Sequence, residues 1–369
     1  VHVLVPEVGD GQRSKQIGDV VVHVYNYFWP PALQSLNKGS ILSNIKRKPW
    51  LLFIIPCFLL SQLFALKRID RYGKYDIIHA HWWFPQGFIA ALYKKCRSRL
   101  VVTSHGSDIN GLFSFTPLRK LFGWTAHRVS CLTTVSRDLA NKAHPYTDKS
   151  IFIEPMGIRD TPITKRSNAN IEPFTFLYIG RLSKEKGADI LLDAFSLFCH
   201  EYPNVYAQLT IIGDGQEKIS LRKKAKTFSK VTQDRIFFNG WESHEGLPDI
   251  MSKHHVFVAP SRNEGFGLST AEAANCGIPI IASSAGGFDE IITHRVSGLR
   301  YAEHTAFSLM GAMREAHDAY DKMLLWSKVA KDRSEHFVWS KVAERYEKIY
   351  RNVISNGDRQ QKKLQTLLL

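Results

Sequence analysis

Short apolar runs recur along this chain, and each run ends in small or polar residues and is followed by a helical pattern of apolar positions. Such runs predict buried strands, and strands that alternate with helices are typical of a parallel α/β architecture. We therefore predict doubly wound parallel sheets, with strands close to residues 1–6, 75–80, 99–103, 131–135, 175–180, 208–213, 256–260 and 278–282. In such sheets, ligands bind at the carboxyl ends of the strands.

A polar segment in the middle of the chain predicts a domain boundary. Residues 156–172 contain Pro162 and an Asn-rich patch, which is a composition typical of a linker. The length of 369 residues also favours two domains over one. We expect a first domain over residues 1–165 and a second domain from residue 166 onward.

The most apolar stretch covers residues 50–66. It is interrupted by Pro56, Ser61 and Gln62 and carries Lys and Arg on both flanks. It falls short of the roughly 20 uninterrupted apolar residues that a spanning helix requires. A helix with basic flanks fits the membrane interface, whereas the same pattern also fits a core helix of an α/β domain. Periodicity does not separate a buried helix from an interfacial one, so both interpretations stay open.

The composition is that of a globular protein, because 44% hydrophobic and 12% aromatic residues exclude a disordered or fibrous chain. Residues 1–165 carry 22 Lys and Arg against 10 Asp and Glu, whereas the remainder carries 27 against 24. This basic half indicates a polyanionic partner such as anionic lipid or a phosphate-bearing substrate. No nucleic-acid-binding motif is recognised, so we expect no nucleic acid partner.

The five cysteines include no C-x-x-C pair, which favours a reduced, cytoplasmic setting.

The densest chemical signal lies in residues 256–290. A strand is followed by a loop with Gly265 and Gly267, which let the backbone approach a ligand, and a helix then begins near Leu268, where its free N–H groups can receive a phosphate. Glu264 and Glu272 lie eight residues apart around this helix start. Carboxylates accept hydrogen bonds from vicinal hydroxyls, so the pair suits a sugar and a ribose. Without further signals, Glu264 would instead be interpreted as a turn residue and Glu272 as a solvated helix residue.

A second segment sets two cations at the end of a predicted strand. Residues 180–187 read Gly-Arg-Leu-Ser-Lys-Glu-Lys-Gly, and their Arg181 and Lys186 could neutralise a diphosphate leaving group. The segment lacks the G-x-x-x-x-G-K-[ST] spacing of a P-loop.

Together, the two segments resemble the retaining glycosyltransferases of family 4 (group 1), which have the GT-B fold. The resemblance extends through residues 211–215, 238–240, 285–287, 79–82, 105–108 and 337–350. It implies two Rossmann-like doubly wound parallel-sheet domains that face a cleft, and a C-terminal helix that crosses back to the first domain. The expected segments are an acceptor-side domain at 1–165, a nucleotide-sugar-binding domain at 166–335, the crossing helix at 336–356 and a polar tail at 357–369.

The resemblance also implies a role for individual residues. Arg181 and Lys186 would bind the diphosphate, Glu272 the ribose and Glu264 the hydroxyls of the transferred sugar, with His105 facing the reacting centre. The implied catalytic residues are His105, Arg181, Lys186 and Glu264. The implied donor-binding residues are Gly180, Arg181, Lys186, Gly213, Glu264, Gly265, Phe266, Gly267, Leu268 and Glu272, and the acceptor-side residues are His79, His81, Trp82 and Asp108. The chain contains no D-x-D triplet, and we expect neither a metal nor another cofactor.

The acceptor-side residues also allow other interpretations. His79 and His81 alternate at a predicted strand end and could hold a metal, although packing or acceptor contact is preferred because no third ligand suggests itself. Trp82, together with its aromatic neighbours, could form a sugar-stacking or lipid-facing surface or belong to the core. Asp108 could simply cap the following turn.

The chain departs from the family pattern at its start. Members usually begin with a strand, a Gly-rich loop and a helix before the segment that residues 1–6 resemble. We therefore expect a chain that lacks about one β-α unit, and an activity that depends on whether the missing loop is needed. Met156 and Arg159 are smaller departures, at positions where Asn and Asp are usual.

These observations lead to a functional expectation. The chain is expected to be a retaining hexosyltransferase that moves a sugar from a nucleoside-diphosphate sugar to a glycan or lipid-linked acceptor in cell-surface polysaccharide biosynthesis. It would be cytoplasmic and peripheral on the anionic inner face of the plasma membrane. The alternatives are a catalytically silent nucleotide-sugar-binding or scaffold protein and a nucleotide-sugar epimerase. The sugar and the base, whether UDP, GDP or ADP, are left open.

Overall fold

The computed structural model describes residues 1–7, 14–30, 33–34, 36, 44–45, 48–73, 75–93, 99–160 and 172–367, with the backbone alone at residue 72 and residues 356–367. The chain forms two compact units. Unit 1 comprises Val1–Thr133, Ala143–Phe152 and Lys348–Leu369, and unit 2 comprises Thr134–Lys142 and Ile153–Glu347. The linker predicted at residues 156–172 lies largely outside the described residues.

The described residues of unit 1 form two sheets. Its strands are β1 (His2–Pro6), β2 (Lys15–Ile17), β3 (Val20–Tyr25), β4 (Ile78–His81), β5 (Leu100–Ser104), β6 (Cys131–Thr134) and β7 (Ile151–Ile153). The first sheet has the order β1-β3-β2, in which β1 runs parallel and β2 antiparallel to β3. The second sheet has the order β4-β5-β6-β7, and β4 runs parallel to β5. Strands β5 and β6 are buried along their whole length, which explains why they read as continuous apolar runs.

The helices of unit 1 cover these sheets. They are α1 (Ile55–Gly73), α2 (Phe88–Leu92), α3 (Ser107–Asn110) and α4 (Thr116–Ala126), and the short α5 (Arg137–Ala143) begins within unit 2. A 3-10 turn, Pro49–Ile54, leads into α1. Leu51, Ile54 and Phe58 of this segment are buried against Tyr25 and Tyr27, and the rings of Tyr27 and Phe58 meet edge to face at 4.9 Å.

The apolar stretch at residues 50–66 is therefore partly a core helix. Its outer face, however, leaves Leu52, Phe53, Leu60 and Phe64 exposed. The helical segment Pro49–Arg71 has 23 residues, and its most apolar 18-residue window has a mean hydropathy of 2.0, so it is long and apolar enough to cross a membrane by length and composition alone. This differs from the expectation that the stretch is too short to span, because mean hydropathy tolerates Pro56, Ser61 and Gln62, whereas a requirement for about 20 uninterrupted apolar residues does not.

Unit 2 is built on one six-stranded sheet in which all neighbouring pairs run parallel. Its order is β10-β9-β8-β11-β12-β13. The strands are β8 (Phe174–Ile179), β9 (Ala207–Ile212), β10 (Ile236–Gly240), β11 (Val256–Ala259), β12 (Ile280–Ser283) and β13 (Leu299–Tyr301). The chain runs outward from β8 through β9 to β10 and then crosses to the other side of β8 to form β11. The direction of winding therefore reverses between β8 and β11, which is where doubly wound sheets bind ligands.

Helices pack against the sheet of unit 2 and enclose a core that includes Phe176, Phe195 and Phe198. They are α6 (Ala188–Glu201), α7 (Lys218–Ala225), α8 (Lys230–Gln233), α9 (Leu247–Ser252), α10 (Leu268–Asn275), α11 (Ala306–Asp318) and α12 (Tyr320–Ser334). These helices and the strands between them confirm the predicted parallel α/β architecture.

The last helix, α13 (Trp339–Leu367), belongs to both units. At its start, the N–H of Trp339 donates to the carbonyl of Ile158 at 3.0 Å within unit 2. From Lys348 onward the helix is part of unit 1, where Val353 packs with Val101 and Cys131. The predicted C-terminal helix that crosses back to the first domain is thus confirmed.

The loops at the carboxyl edge of the unit 2 sheet approach each other without intervening side chains. A Cβ placed on Gly213 would overlap the carbonyl oxygen of Gly180, and Gly213 has a φ of +141°. We expect Gly213→Ala to lower the free energy of unfolding by at least about 2 kcal/mol, because both the backbone conformation and the overlap oppose a side chain. Calorimetric melting of the full chain measures this effect.

Gly311→Ala is the matched control for this substitution. Gly311 lies inside α11, and a Cβ there would meet nothing within 4 Å. This change should be neutral or should stabilise the protein by up to about 1 kcal/mol, because alanine is the better helix former. Equal stability of the Gly213→Ala and Gly311→Ala proteins would contradict the close loop approach.

Candidate functional site

Three loops of unit 2 meet where the winding of the sheet reverses. They follow β8, β9 and β11, and backbone contacts join them: Leu182 N–H donates to Asp214 O at 2.9 Å, and Arg262 N–H donates to Glu185 O at 2.7 Å. A Cβ on Gly187 would overlap the carbonyl of Pro260, so the first and third loops touch directly. The edge is therefore a preformed surface of backbone groups onto which charged side chains project.

Lys186 and Glu264 form an ion pair at this edge. Lys186 Nζ donates to Glu264 Oε2 at 2.6 Å, and the Ser261 hydroxyl donates to the same oxygen at 3.2 Å. The Glu264 side chain is only 12% exposed. The two residues lie 78 positions apart in the sequence, and the structure brings these two predicted site residues together. Because Glu264 has two donors on one oxygen, its orientation is set before any ligand arrives.

Arg181 carries the second cation. Its side chain is exposed and, within the part of the chain that the structure describes, makes no hydrogen bond or ion pair. Its backbone carbonyl accepts a hydrogen bond from the Tyr178 hydroxyl at 3.0 Å, which anchors the start of the loop. An anchored backbone with an unpaired guanidinium is suited to capture an anion.

The start of α10 provides backbone N–H donors rather than a cationic side chain. Gly267, with a φ of +98°, precedes the first residue of the helix and provides no side-chain cap. Among the described residues, no acceptor is found for the backbone N–H groups of Phe266, Gly267 and Leu268. Open N–H groups and the positive end of the helix dipole favour a negatively charged group at this position.

Glu272 lies one turn further along α10 and contrasts with Glu264. Its side chain is 19% exposed, and the His244 imidazole lies beside it, with Nδ1 at 3.8 Å from Oε1. Burial raises the pKa of Glu272, and His244 and Arg159 oppose this rise. A desolvated carboxylate with no close donor gains more from a hydroxyl ligand than a solvated one does, because the ligand replaces lost hydration.

Sequence reasoning did not identify several polar groups around this edge. Ser261 orients Glu264, and the hydroxyl oxygens of Ser183 and Thr270 are buried without a partner among the described residues. Ser261 lies three positions before Glu264 and could have been considered from that spacing. Ser183 and Thr270 are recognisable only after folding, because their significance comes from burial.

Unit 1 carries a histidine cluster at the ends of β4 and β5. His79 Nδ1 lies 2.7 Å from the Tyr350 hydroxyl and His79 Nε2 lies 2.6 Å from the Thr103 hydroxyl. His81 Nδ1 lies 2.8 Å from His105 Nε2. Three predicted residues are thus brought together, and Tyr350 of α13 is a partner that no local pattern indicated.

These rings are held in the neutral form. Burial, together with the neighbouring His81 and His105, lowers the pKa of His79 to about 3. Burial and the nearby His81 likewise lower the pKa of His105 to about 3. A neutral imidazole has one donor and one acceptor, which matches the two hydroxyl partners of His79. Among the described residues, no group of three His, Cys, Asp or Glu side chains is arranged to hold a metal ion.

Trp82 and Asp108 have different surroundings. Trp82 is exposed and its ring lies 5.3 Å from that of His105, whereas the adjacent Trp83 is fully buried. Asp108 is buried and accepts hydrogen bonds from the backbone N–H groups of Trp83, His105 and Gly106 at 3.0 to 3.1 Å. Burial raises the pKa of Asp108, and hydrogen bonds that include those from the Trp83 and Gly106 N–H groups oppose the rise. Asp108 therefore ties together the loops that follow β4 and β5, and Trp82 remains available at the surface.

Comparisons with known proteins agree with this arrangement. Residues 160–333 match the family described as glycosyl transferases group 1, and residues 1–159 match glycosyltransferase family 4. The N-acetyl-alpha-D-glucosaminyl L-malate synthase of Bacillus anthracis is 25% identical over 351 residues, which cover 90% of this chain and 89% of that protein.

Solved structures identify the fold as GT-B. Sucrose-phosphate synthase from Thermosynechococcus elongatus superposes with a TM-score of 0.77 at 18% identity, covering 96% of this chain and 89% of that one. Anabaena HepE, in complex with UDP and glucose, superposes with a TM-score of 0.67 at 19% identity, covering 90% and 86%.

The histidine cluster predicts a pH dependence of stability. His79 has a pKa of about 3 in the folded protein, against about 6.5 when unfolded. The unfolded chain therefore binds more protons below pH 6.5, and stability is lost as the pH falls from 6.5 toward 3, by up to about 1.4 kcal/mol per pH unit for this group. Urea unfolding between pH 7.5 and 4.5 should show a shallower pH dependence in His79→Gln. The same slope in both proteins would argue against a neutral His79.

Proposed function

We propose that this chain, which belongs to the family-4 (group 1) glycosyltransferases, transfers a sugar from a nucleoside-diphosphate sugar to a glycan or lipid-linked acceptor with retention of anomeric configuration. We place this reaction in the cytoplasm, in the biosynthesis of cell-surface polysaccharide. The observation that carries the proposal is the edge of the unit 2 sheet, where the exposed Arg181, unpaired among the residues that the structure describes, occurs together with the Lys186–Glu264 pair and the open start of α10.

The diphosphate of the donor fits the cationic side of this edge. Arg181 offers a planar fork for phosphate oxygens, and the N–H groups of Phe266, Gly267 and Leu268 offer further donors. Lys186 lies on the same loop as Arg181, and Glu264 holds its ammonium group in place. We propose that these groups, rather than a metal ion, stabilise the negative charge that develops on the leaving diphosphate.

The two carboxylates are assigned to the hydroxyl-bearing ends of the donor. Glu272 is largely buried and has no close side-chain donor in the described part of the chain, which favours a pair of ribose hydroxyls. Glu264 is already oriented by Lys186 and Ser261, which suits contact with the hydroxyls of the transferred sugar. Because both donors that the described residues provide to Glu264 bind one oxygen, we assign its other oxygen to the sugar. The UDP and glucose present in the HepE complex agree with a donor of this class.

The acceptor is assigned to unit 1. Trp82 presents an exposed aromatic ring beside His105, and aromatic faces pack well on sugar rings. His81 and His105 are linked by a hydrogen bond and provide polar groups next to this ring. Retention of configuration is proposed from the resemblance to the retaining glycosyltransferases of family 4, whose family model this chain matches.

Nucleotide binding tests the assignment of Glu272. We expect Glu272→Ala to weaken binding of the preferred nucleoside diphosphate by about 10- to 100-fold, because hydrogen bonds to a charged group contribute about 1.5–3 kcal/mol. Calorimetric titration of the full chain with UDP, GDP and ADP identifies the preferred base and measures the loss. Glu303→Ala, at an exposed position of unit 2, is the matched control. Equal affinity of both variants would remove Glu272 from the site.

Transfer rates test the assignment of Lys186. We expect Lys186→Ala to lower kcat about 100-fold or more while changing donor affinity much less, because its charge matters most when the leaving group becomes negative. Lys184→Ala alters an exposed lysine of the same loop and should keep the activity. The readout is release of nucleoside diphosphate from the donor selected by titration.

The same reaction mixtures decide between the functional alternatives. Nuclear magnetic resonance of the product reports the anomeric configuration, and an inverted product would refute the retaining mechanism. Conversion of the donor sugar without an acceptor would indicate an epimerase, and tight donor binding without any turnover would indicate a binding protein.

A further inference from the structure

The outer face of the helical segment Pro49–Arg71 is apolar although it is exposed. Phe53, Pro56, Leu60 and Phe64 follow one another at intervals of three and four residues, so they form one stripe along the segment. Phe53 is 84% exposed, Phe64 is 64% exposed and Leu60 is 54% exposed. Single exposed apolar residues are common, whereas a continuous exposed stripe indicates an interaction surface.

The same stripe continues into positive charge. Lys67 and Arg71 occupy its next two positions, Arg68 lies beside them, and all three are exposed. The Lys67 ammonium lies 5.9 Å from the centre of the Phe64 ring. The one acid of the segment, Asp70, is buried and paired with Arg99 at 2.6 Å, so it does not offset this charge. We call the stripe from Phe53 to Phe64, together with Lys67, Arg68 and Arg71, the helical docking face.

We propose that the helical docking face binds the surface of a bilayer that contains anionic lipid, with the helix lying in the plane of the membrane interface. Aromatic and aliphatic side chains would enter the boundary between headgroups and acyl chains, and the three cations would contact the lipid phosphates. Charge complementarity favours this occupant, because the cations adjoin the apolar stripe in a half of the chain that carries 22 Lys and Arg against 10 Asp and Glu.

The opposite face of the segment explains why it lies on the membrane rather than crosses it. Leu51, Ile54 and Phe58 are at most 2% exposed and form one core with Tyr25 and Tyr27. Insertion across a bilayer would remove these three side chains from that core. The segment is long and apolar enough to span a membrane by length and composition alone, but this packing ties it to unit 1.

Membrane docking does not depend on the proposed transfer reaction. The two are compatible, because docking would bring the protein to the surface where a lipid-linked acceptor lies. The helical docking face belongs to unit 1, as do Trp82 and the histidine cluster. Docking through it would bring the unit assigned to the acceptor to the lipid surface. Failure of the transferase assignment would leave the docking experiment interpretable, because its readout is lipid binding.

Flotation with lipid vesicles tests the proposal on the full chain. One set of vesicles contains phosphatidylcholine alone and the other contains phosphatidylcholine and phosphatidylglycerol. We expect binding to the anionic set. The affinity should fall at least about tenfold in Phe53→Ser/Phe64→Ser, because two apolar side chains would no longer be transferred from water into the membrane interface. Phe307→Ser, at a position that is 74% exposed in unit 2, is the matched control and should bind as the unmodified protein does.

The charged part of the face is tested separately. Lys67→Gln/Arg71→Gln should weaken binding to anionic vesicles about 25-fold, because each cation near such a surface contributes about 1 kcal/mol, or about fivefold. Lys223→Gln/Lys226→Gln removes two exposed lysines of unit 2 and should have no effect. Since all the replaced side chains are exposed, circular dichroism should show unchanged folding.

Three results would overturn the proposal. The first is failure of the unmodified protein to bind anionic vesicles. The second is unchanged binding when both pairs of docking-face residues have been replaced. The third is self-association in sedimentation velocity that disappears in Phe53→Ser/Phe64→Ser while no vesicle binding occurs, which would assign the face to a second copy of this chain.

Discussion

The direct approach of backbone segments at the carboxyl edge of the unit 2 sheet is the constraint on which the candidate donor site depends. The loops after β8, β9 and β11 touch where Gly213 meets Gly180 and where Gly187 meets Pro260. A side chain at either glycine would push the loops apart. Because the loops are in contact, Lys186 of one loop reaches Glu264 of another at 2.6 Å. The arrangement of charges therefore depends on the two glycines, which have no side chain, as much as on the charged residues themselves.

The charged side chains at this edge differ in how many hydrogen-bond and ion-pair partners they already have. This difference determines which ligand group each of them can bind. Glu264 is oriented by Lys186 and Ser261, whereas Glu272 is largely buried and, as far as the structure describes the chain, lacks a close donor. Arg181 is exposed and unpaired within the described residues. A ligand with phosphate at one end and hydroxyls at the other would complete these partial interactions, which is the physical basis of the proposed function.

Unit 1 uses burial in two different ways. Burial keeps His79 and His105 neutral, so that their rings act as hydrogen-bonding groups rather than as cations. In the segment Pro49–Arg71, burial of Leu51, Ile54 and Phe58 secures one face and leaves the apolar stripe on the other face exposed. The positive charge of this unit is consequently carried by surface lysines and arginines and not by the histidine cluster.

Local sequence determined the buried strands and the composition of the donor edge. Strands such as β5, β11 and β12 are buried along their whole length, so continuous apolar runs identified them, whereas the half-exposed β10 and the short β2 and β13 gave no comparable signal. The spacing of Arg181, Lys186, Glu264 and Glu272 was equally visible, because these residues lie in two short segments.

Tertiary structure alone decided the partners: Lys186 with Glu264 across 78 positions and His79 with Tyr350 across 271. It also decided that Trp82 is exposed while Trp83 is buried, and that one helix has both a core face and an apolar outer face. The physical reason is that residue type and spacing are local properties, whereas pairing and burial depend on which distant segments the topology of the sheets brings together.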